Sequence, residues 1–347
     1  MASIVIRARA PFRAKLIQAP PPFRAKRPVY LSAVRILVTG AGGFVGGHLV
    51  ENLARAGHEV VAASRQSFAA QGASETLAFD VAAPDAVAEA VARVRPDGVV
   101  HLAAQASVPR SWTDPVETYS SNVIGASNLL EALRPQPATR VVLVGSAQVY
   151  GDGVAGRLLS ETDPLVPRSP YAVSKIAQEL VGLLYHRELG IPVVLARSFN
   201  HTGPGQSEEY AVGSFASQVA AIEAGERPPR LEVGWLGAIR DFLDVRDVVE
   251  AYRLLLERGG PGEAYNVSSG KGLPVGELLD KLLDAAGLAS AVEVVQSAPP
   301  RTGDPGALIG ENAKIRQAVG WEPRIPIEQS LADTLTWYRS RTARRAP

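Results

Sequence analysis

Tyr171 and Lys175, in "SPYAVSK", are the residues whose types and spacing most directly allow chemistry. Four apart, they fall one turn apart on the same face of a helix and can act together. A phenol is a poor acid–base catalyst with a pKa near 10, but an ammonium beside it stabilises the phenolate and draws that pKa toward neutrality. Ser146 stands at the end of the expected strand "VVLVGSA", 25 residues before the tyrosine, where its hydroxyl can hold a carbonyl oxygen. The three side chains suit proton transfer to or from an oxygen on carbon. YxxxK alone is common by chance, so the assignment depends on the elements that position it.

Those elements begin at "RILVTGAGGFVGGHLVENLARAGHEVVAASR", which reads as strand, glycine turn, helix, strand. The β-branched run "VRILVT" suits a buried parallel strand and passes straight into Gly40, Gly43 and Gly46, a GxxGxxG spacing. Gly40 permits a tight turn, Gly43 lets backbone approach a pyrophosphate, and Gly46 lets the helix pack against the strand, with free N–H groups at the helix start for the anion. Phe44 and Val45 join this cofactor set. At the end of the second strand an acid would select NAD, whereas Ser64 and Arg65 suit a 2′-phosphate and favour NADPH, with NADH possible. Arg65 also reads as a plain solvated charge. Asp80 and Val81 end a third strand, where the carboxylate either accepts from an adenine amine or caps the helix that follows. Leu102, Ala103 and Ala104 of "HLAA" complete the expected dinucleotide wall. A nicotinamide cofactor bound there would join Lys175 in lowering the Tyr171 pKa.

Strands and helices alternate as far as "PVVLARS", which predicts an α/β fold: a Rossmann-type, doubly wound parallel sheet with a smaller C-terminal substrate-binding lobe. The dinucleotide-binding domain is expected mainly over residues 34–200 and the lobe mainly over 201–340, with some interleaving of chain. Loops around "NHTGPGQ", "ERPPRLEVG" and "SAPPRTGDPG" suit the second wall of a cleft. Residues 1–33 differ. They carry seven basic residues and no acid, repeat "PFRAK", and include Pro20, Pro21 and Pro22, which break any amphipathic helix. Met1 is the only methionine, so this arm reads as a disordered extension or a mis-assigned start.

Composition sets the outer bounds. With 36 basic against 35 acidic residues, and no basic block in the body, a nucleic-acid surface is not expected and a small-molecule partner is. The chain has no cysteine, which excludes disulfides and thiolate metal sites and fits a reducing cytoplasm. Five scattered histidines suggest no metal cluster. No apolar run approaches the roughly 18 residues of a membrane helix, so a soluble protein is expected.

From Val34 to about Trp337 the chain resembles the extended short-chain dehydrogenase/reductase family, the NAD-dependent epimerase/dehydratases that act on nucleotide sugars. The motifs are "TGAGGFVG", "HLAA", "SNVIGASNLLEA", "SAQVYG", "YAVSK", "RSFNHTGP", "RDFLDVRDVV" and "RTGDP". The resemblance implies that Asn122 and Ser146 support the catalytic network, that Asn200 contacts substrate, and that Arg240 and Arg301 clamp its diphosphate. It adds Ser107, Asn122 and Gln148 to the substrate-contact candidates. Within the family, "HLAAQASVPRSWTDP", "FNHTGPGQ" and "EVGWLGAIRDFLDVRDVVEAY" look most like the GDP-4-dehydro-6-deoxy-D-mannose reductases, which implies a GDP-linked substrate and a homodimer. Gly145 is a departure, since many relatives carry a second serine there; its expected effect is the loss of one hydrogen bond, or a looser placement of Ser146.

Two rivals follow. A 4-epimerase would use the same Ser146, Tyr171 and Lys175 while keeping NAD bound. A non-catalytic dinucleotide sensor would have no need of the three. Where 4,6-dehydratases of the family carry a glutamate, this chain has Gln148, whose amide has no proton to exchange at neutral pH; it reads equally as a strand-end cap or a substrate contact. The helices "SNVIGASNLLEALR" and "SKIAQELVGLLYHREL" carry apolar residues on more than one side, as helices do when one face meets a sheet and another meets a partner.

Overall fold

The computed structural model describes residues 34–153, 156–297 and 306–343; the basic arm and Arg301 lie outside the described residues. The first half runs β1 (Arg35–Thr39), α1 (Phe44–Arg55), β2 (Glu59–Ser64), β3 (Glu75–Ala78), α2 (Pro84–Val94) and β4 (Gly98–His101). Two short helices, α3 (Val108–Thr113) and α4 (Pro115–Tyr119), lead through a π-helical turn at Ser120–Ile124 into α5 (Gly125–Ala132). Then come β5 (Arg140–Val144), a 3-10 turn (Ala147–Tyr150), α6 (Pro170–Leu189), β6 (Val193–Ser198) and β7 (Asn200–Thr202). The remainder is α7 (Ala211–Glu223), β8 (Arg230–Val233), β9 (Ile239–Asp244), α8 (Val245–Arg258), β10 (Ala264–Val267), β11 (Gly272–Pro274), α9 (Val275–Ala286), β12 (Glu293–Gln296), β13 (Ala307–Leu308), α10 (Ala313–Val319) and α11 (Ile327–Ala343).

Seven parallel strands form the central sheet in the order β10-β6-β5-β4-β1-β2-β3. Their apolar runs are buried because helices cover both faces. Leu49, Val50 and Leu53 of α1, with α8 and Trp321, cover one; Val87 and Val91 of α2, with α5 and α6, cover the other. The order reverses between β1 and β4, and the carboxyl ends of those strands open a crevice there. This is the doubly wound sheet that the alternation predicts. The chain crosses back after residue 200, since α8, β10 and Trp321 belong to the sheet's own core. A separate apolar core, with Val212 and Phe215 of α7, Leu231, Leu278 and Leu282 of α9 and Leu335 of α11, builds the lobe.

The helix that carries Tyr171 and Lys175 is defined at both ends. Ser169 Oγ accepts from the Ala172 amide at 3.1 Å, Pro170 fills the first helical position, and Gly190 closes the helix in a left-handed conformation. Among the described residues, no helix is long and apolar enough to cross a membrane.

Beneath the crevice, His101 pairs in register with Thr39, and its Nδ1 lies 2.8 Å from Thr39 Oγ1. Its Nε2 has no hydrogen-bond partner among the described residues. Burial, and then the Lys175 cation, lower the pKa from 6.5 to about 3. The fold therefore favours neutral imidazole. That contribution to stability is whole above pH 6.5 and is lost as pH falls, because the unfolded chain takes up a proton that the folded one refuses. By pH 5 the loss is about 2 kcal/mol. Denaturant unfolding at pH 7.5 and pH 5 is expected to cost the wild type about that much more than His101→Gln; parallel pH profiles would contradict the assignment.

Candidate active site

The glycine turn is shaped by close approach. Gly40 has φ +73°, and a Cβ there would lie 2.6 Å from the Ala103 amide nitrogen; a Cβ on Gly46 would lie 2.5 Å from Ala41 Cα. Helix α1 thus starts hard against the ends of β1 and β4. It begins at Gly43 with no capping side chain and no acid in its first turn, so its leading N–H groups stay electropositive and unblocked. This cradle fits a dinucleotide pyrophosphate. Gly40, Gly43, Phe44, Val45 and Gly46 line a cleft of about 1140 Å³ that runs to the lobe, larger than the roughly 300–1,000 Å³ of a small-ligand pocket.

The other expected dinucleotide residues line the same cleft: Ser64, Arg65, Asp80, Val81, Leu102, Ala103 and Ala104. Asp80 Oδ1 accepts from the Ala82 amide at 2.9 Å, just ahead of α2, so the carboxylate steadies the entry to that helix from the cleft wall. Ser107, Gln148 and Asn200 also face the cleft. Ser107 caps α3, its Oγ accepting from the Arg110 amide at 3.4 Å. The strand-end cap expected of Gln148 is supplied instead by Ser146, whose Oγ accepts from the Gln148 amide at 3.2 Å.

Ser146, Tyr171 and Lys175 meet where β5 ends against the first turn of α6, and all three line the cleft. Ser146 lies beside the Tyr171 phenol, near enough for its hydroxyl to favour the phenolate. Burial pushes the phenol up to about 12, with Ser146 acting the other way. The lowering expected of Lys175 together with a bound nicotinamide would act against that burial. The Lys175 cation is directed elsewhere: Nζ donates to the Val144 carbonyl at 2.9 Å and to Gln178 Oε1 at 2.8 Å. Burial lowers Lys175 itself from 10.5 to about 8, with Glu179 opposing the shift. Around neutral pH the pair is a protonated phenol and an ammonium, poised to give a proton.

Three residues singled out in the sequence lie away from the cleft lining or outside the described residues. Asn122 does not face the cleft. It is fully buried in the π-helical turn, where its side chain accepts from the Gln105 amide at 2.8 Å and donates to the Gln105 carbonyl at 3.1 Å and Ser174 Oγ at 2.9 Å. An amide suits that place because it satisfies a donor and an acceptor of one residue together. Arg240 likewise lies off the cleft lining, buried on β9 with Nη1 donating to the Ile239 carbonyl at 2.9 Å. Arg301 is outside the described residues, in the stretch that ends just before β13 pairs with β9 at Leu308 and Arg240.

Gly145 is needed for more than the loss of a serine hydroxyl. A Cβ there would lie 2.9 Å from Glu179 Oε1. That carboxylate cannot give way, because Arg197 holds it through Nε at 3.1 Å and Nη2 at 2.8 Å. Arg197 Nη1 donates in turn to Tyr150 Oη at 3.0 Å, tying the 3-10 turn after Ser146 to β6. Gln178 and Glu179, three and four residues past Lys175, were legible from helical spacing alone. Arg110 and Glu117, which form a charge cluster with Arg65 on the cleft wall, carry no such local signal.

Residues 37–334 match the family model described as GDP-mannose 4,6 dehydratase. The chain is 38% identical over 311 residues to the GDP-6-deoxy-D-mannose reductase of Pseudomonas aeruginosa, covering 88% of this chain and 98% of that protein. The structure of RMD from Pseudomonas aeruginosa complexed with NADPH superposes with a TM-score of 0.79 at 36% identity, over 89% of this chain and 100% of that one. The Thermus thermophilus UDP-glucose 4-epimerase complex with NAD gives 0.80 at 33% identity, over 88% and 99%. The likeness runs through sheet and lobe alike, and the chain belongs to the GDP-mannose 4,6 dehydratase family, among the nucleotide-sugar-modifying, nicotinamide-dinucleotide-dependent enzymes of the extended short-chain dehydrogenase/reductase type.

Proposed function

We propose that this enzyme reduces the 4-keto group of a nucleotide-linked 6-deoxy sugar, GDP-4-dehydro-6-deoxy-D-mannose, to give GDP-D-rhamnose, with NADPH as the preferred reductant. The observation that carries the reading is geometric: Ser146, Tyr171 and Lys175 line the same cleft as the glycine cradle, so a phenol that is protonated at neutral pH stands where a bound dinucleotide and a sugar carbonyl would meet. The nicotinamide, when bound, supplies the hydride that adds to sugar carbon 4. Tyr171 gives its proton to the oxygen that becomes alkoxide, and Ser146 hydrogen-bonds the same oxygen. Lys175 has three N–H donors, of which two hold Val144 and Gln178, leaving one for ribose hydroxyls. Gln148 on the cleft wall can orient substrate but cannot move a proton, which speaks against elimination of water. The GDP-6-deoxy-D-mannose reductase among the relatives supports the choice of nucleotide. GDP-mannose supplied with NADP and no reductant is expected to stay unchanged; a 4-keto-6-deoxy product formed as fast as ketone reduction would sink the reading.

We also propose a homodimer built on a four-helix interface. Val173, Leu180 and Leu184 form one stripe along α6, with Leu180 61% and Leu184 54% exposed, and Ile124 and Val116 lie exposed on the elements packed beside it. A patch of that kind costs free energy unless covered, and a two-fold axis covers it with itself. Sedimentation at micromolar concentration is expected to give a dimer that Leu180→Asp converts to monomer. A wild-type monomer would end the proposal.

Two kinetic outcomes follow from the site. Tyr171→Phe is expected to keep NADPH binding while turnover drops roughly a hundredfold or more, the scale of a lost general acid; retention of half the wild-type turnover, with chemistry rate-limiting, would remove Tyr171 from the role. The lowered Lys175 pKa means its positive charge is lost early. Above about 8, kcat/KM for NADPH is expected to fall as pH rises, with no such inflection in Lys175→Met.

A further inference from the structure

At the far end of the cleft from Tyr171 lies a charge cluster drawn from three separate elements. Arg65, one residue past β2, points Nη1 at Glu117 Oε1, 3.4 Å away. Arg110 of α3 points Nη2 at Glu117 Oε2 from the other side, at 2.5 Å. All three residues line the cleft beside Ser64, the last residue of β2, where folds of this type read the adenosine ribose.

The placement of Glu117 is fixed while its carboxylate is not. Asp114 Oδ1 accepts from the Glu117 amide at 2.9 Å and so caps α4, which leaves the Glu117 side chain with no duty to its own helix. The carboxylate is partly exposed and the two guanidiniums are more than half exposed, so each ion pair is weak and easily exchanged. Chemically, a carboxylate gripped by two guanidinium forks stands where a phosphate would bind, since both present oxygens that such forks engage in pairs. The cluster sums to one positive charge, two cations against one anion.

We propose that Glu117 is the residue that sets cofactor specificity, and that Arg110 is the second arm of the 2′-phosphate site. With NADH, the carboxylate stays on the arginines and accepts from the ribose hydroxyls. With NADPH, the phosphate bridges Arg65 and Arg110 in place of Glu117, whose remaining negative charge opposes it. The inference rests on the dinucleotide reading of the cleft, but not on which dinucleotide the wild type prefers. It gives the chain measurable affinity for both.

The test is binding, read by titration calorimetry with NADPH, NADH, adenosine 2′,5′-bisphosphate and adenosine 5′-monophosphate. Glu117→Gln keeps the shape and removes the charge. It is expected to raise the ratio Kd(NADH)/Kd(NADPH) about fivefold and to tighten the bisphosphate without tightening the monophosphate, the scale of one partly screened charge contact. Arg110→Gln is expected to lower the same ratio about tenfold. A ratio within twofold of wild type in Glu117→Gln, or equal weakening of both cofactors in Arg110→Gln, would overturn the proposal. A wild type that favours NADH would defeat the NADPH preference alone, because the shift of the ratio in Glu117→Gln would still read the switch.

Discussion

A buried ammonium is the constraint on which this site depends. Lys175 is 3% exposed, and a cation so placed costs several kcal/mol unless it is hydrogen-bonded on every side available. Its partners are the Val144 carbonyl, the last of β5, and Gln178 on its own helix. Satisfying the cation therefore pins α6 to the carboxyl end of β5. Ser146, two residues past Val144, and Tyr171, one turn before Lys175, are brought together by the same contact. One turn further on, Glu179 takes Arg197 from β6, and Gly145 leaves the space that this pair requires. The buried face of α6 thus carries Lys175, held at the end of β5, and Glu179, held by Arg197 near the end of β6.

Parts of this arrangement that depend on local periodicity are plain in the sequence. A four-residue spacing on a helix, a β-branched run before a glycine turn and alternating strands and helices each state their geometry directly, and the sheet, the cradle and the Tyr171–Lys175 pair follow from them. What escapes depends on elements far apart in the chain. Asn122 belongs to a motif implied to serve catalysis, yet it faces Gln105 and Ser174, because α5 and α6 meet through its π-helical turn. Arg240 is buried on β9 between β11 and β13, elements that lie more than 30 residues away in sequence. The meaning of Gly145 requires Glu179 from 34 residues downstream. The burial of Tyr171 is hidden for a related reason: nothing near it in sequence says how deep the first turn of α6 lies.

A protonated Tyr171 beside Ser146 suits delivery of a proton to a carbonyl oxygen that is receiving hydride. Gln148 offers no second acid or base for elimination. A reductase differs from an epimerase in one respect that can be traced atom by atom: hydride leaves the cofactor for good and stays on the sugar.

That transfer can be followed with NADPH carrying deuterium at both positions of nicotinamide carbon 4 and the GDP-linked 4-keto-6-deoxy sugar, reading the product by NMR. Deuterium at sugar carbon 4 in amounts equal to the NADPH consumed is the result expected of a reductase. Loss of the ketone without deuterium on carbon 4, or with no net consumption of NADPH, would contradict it.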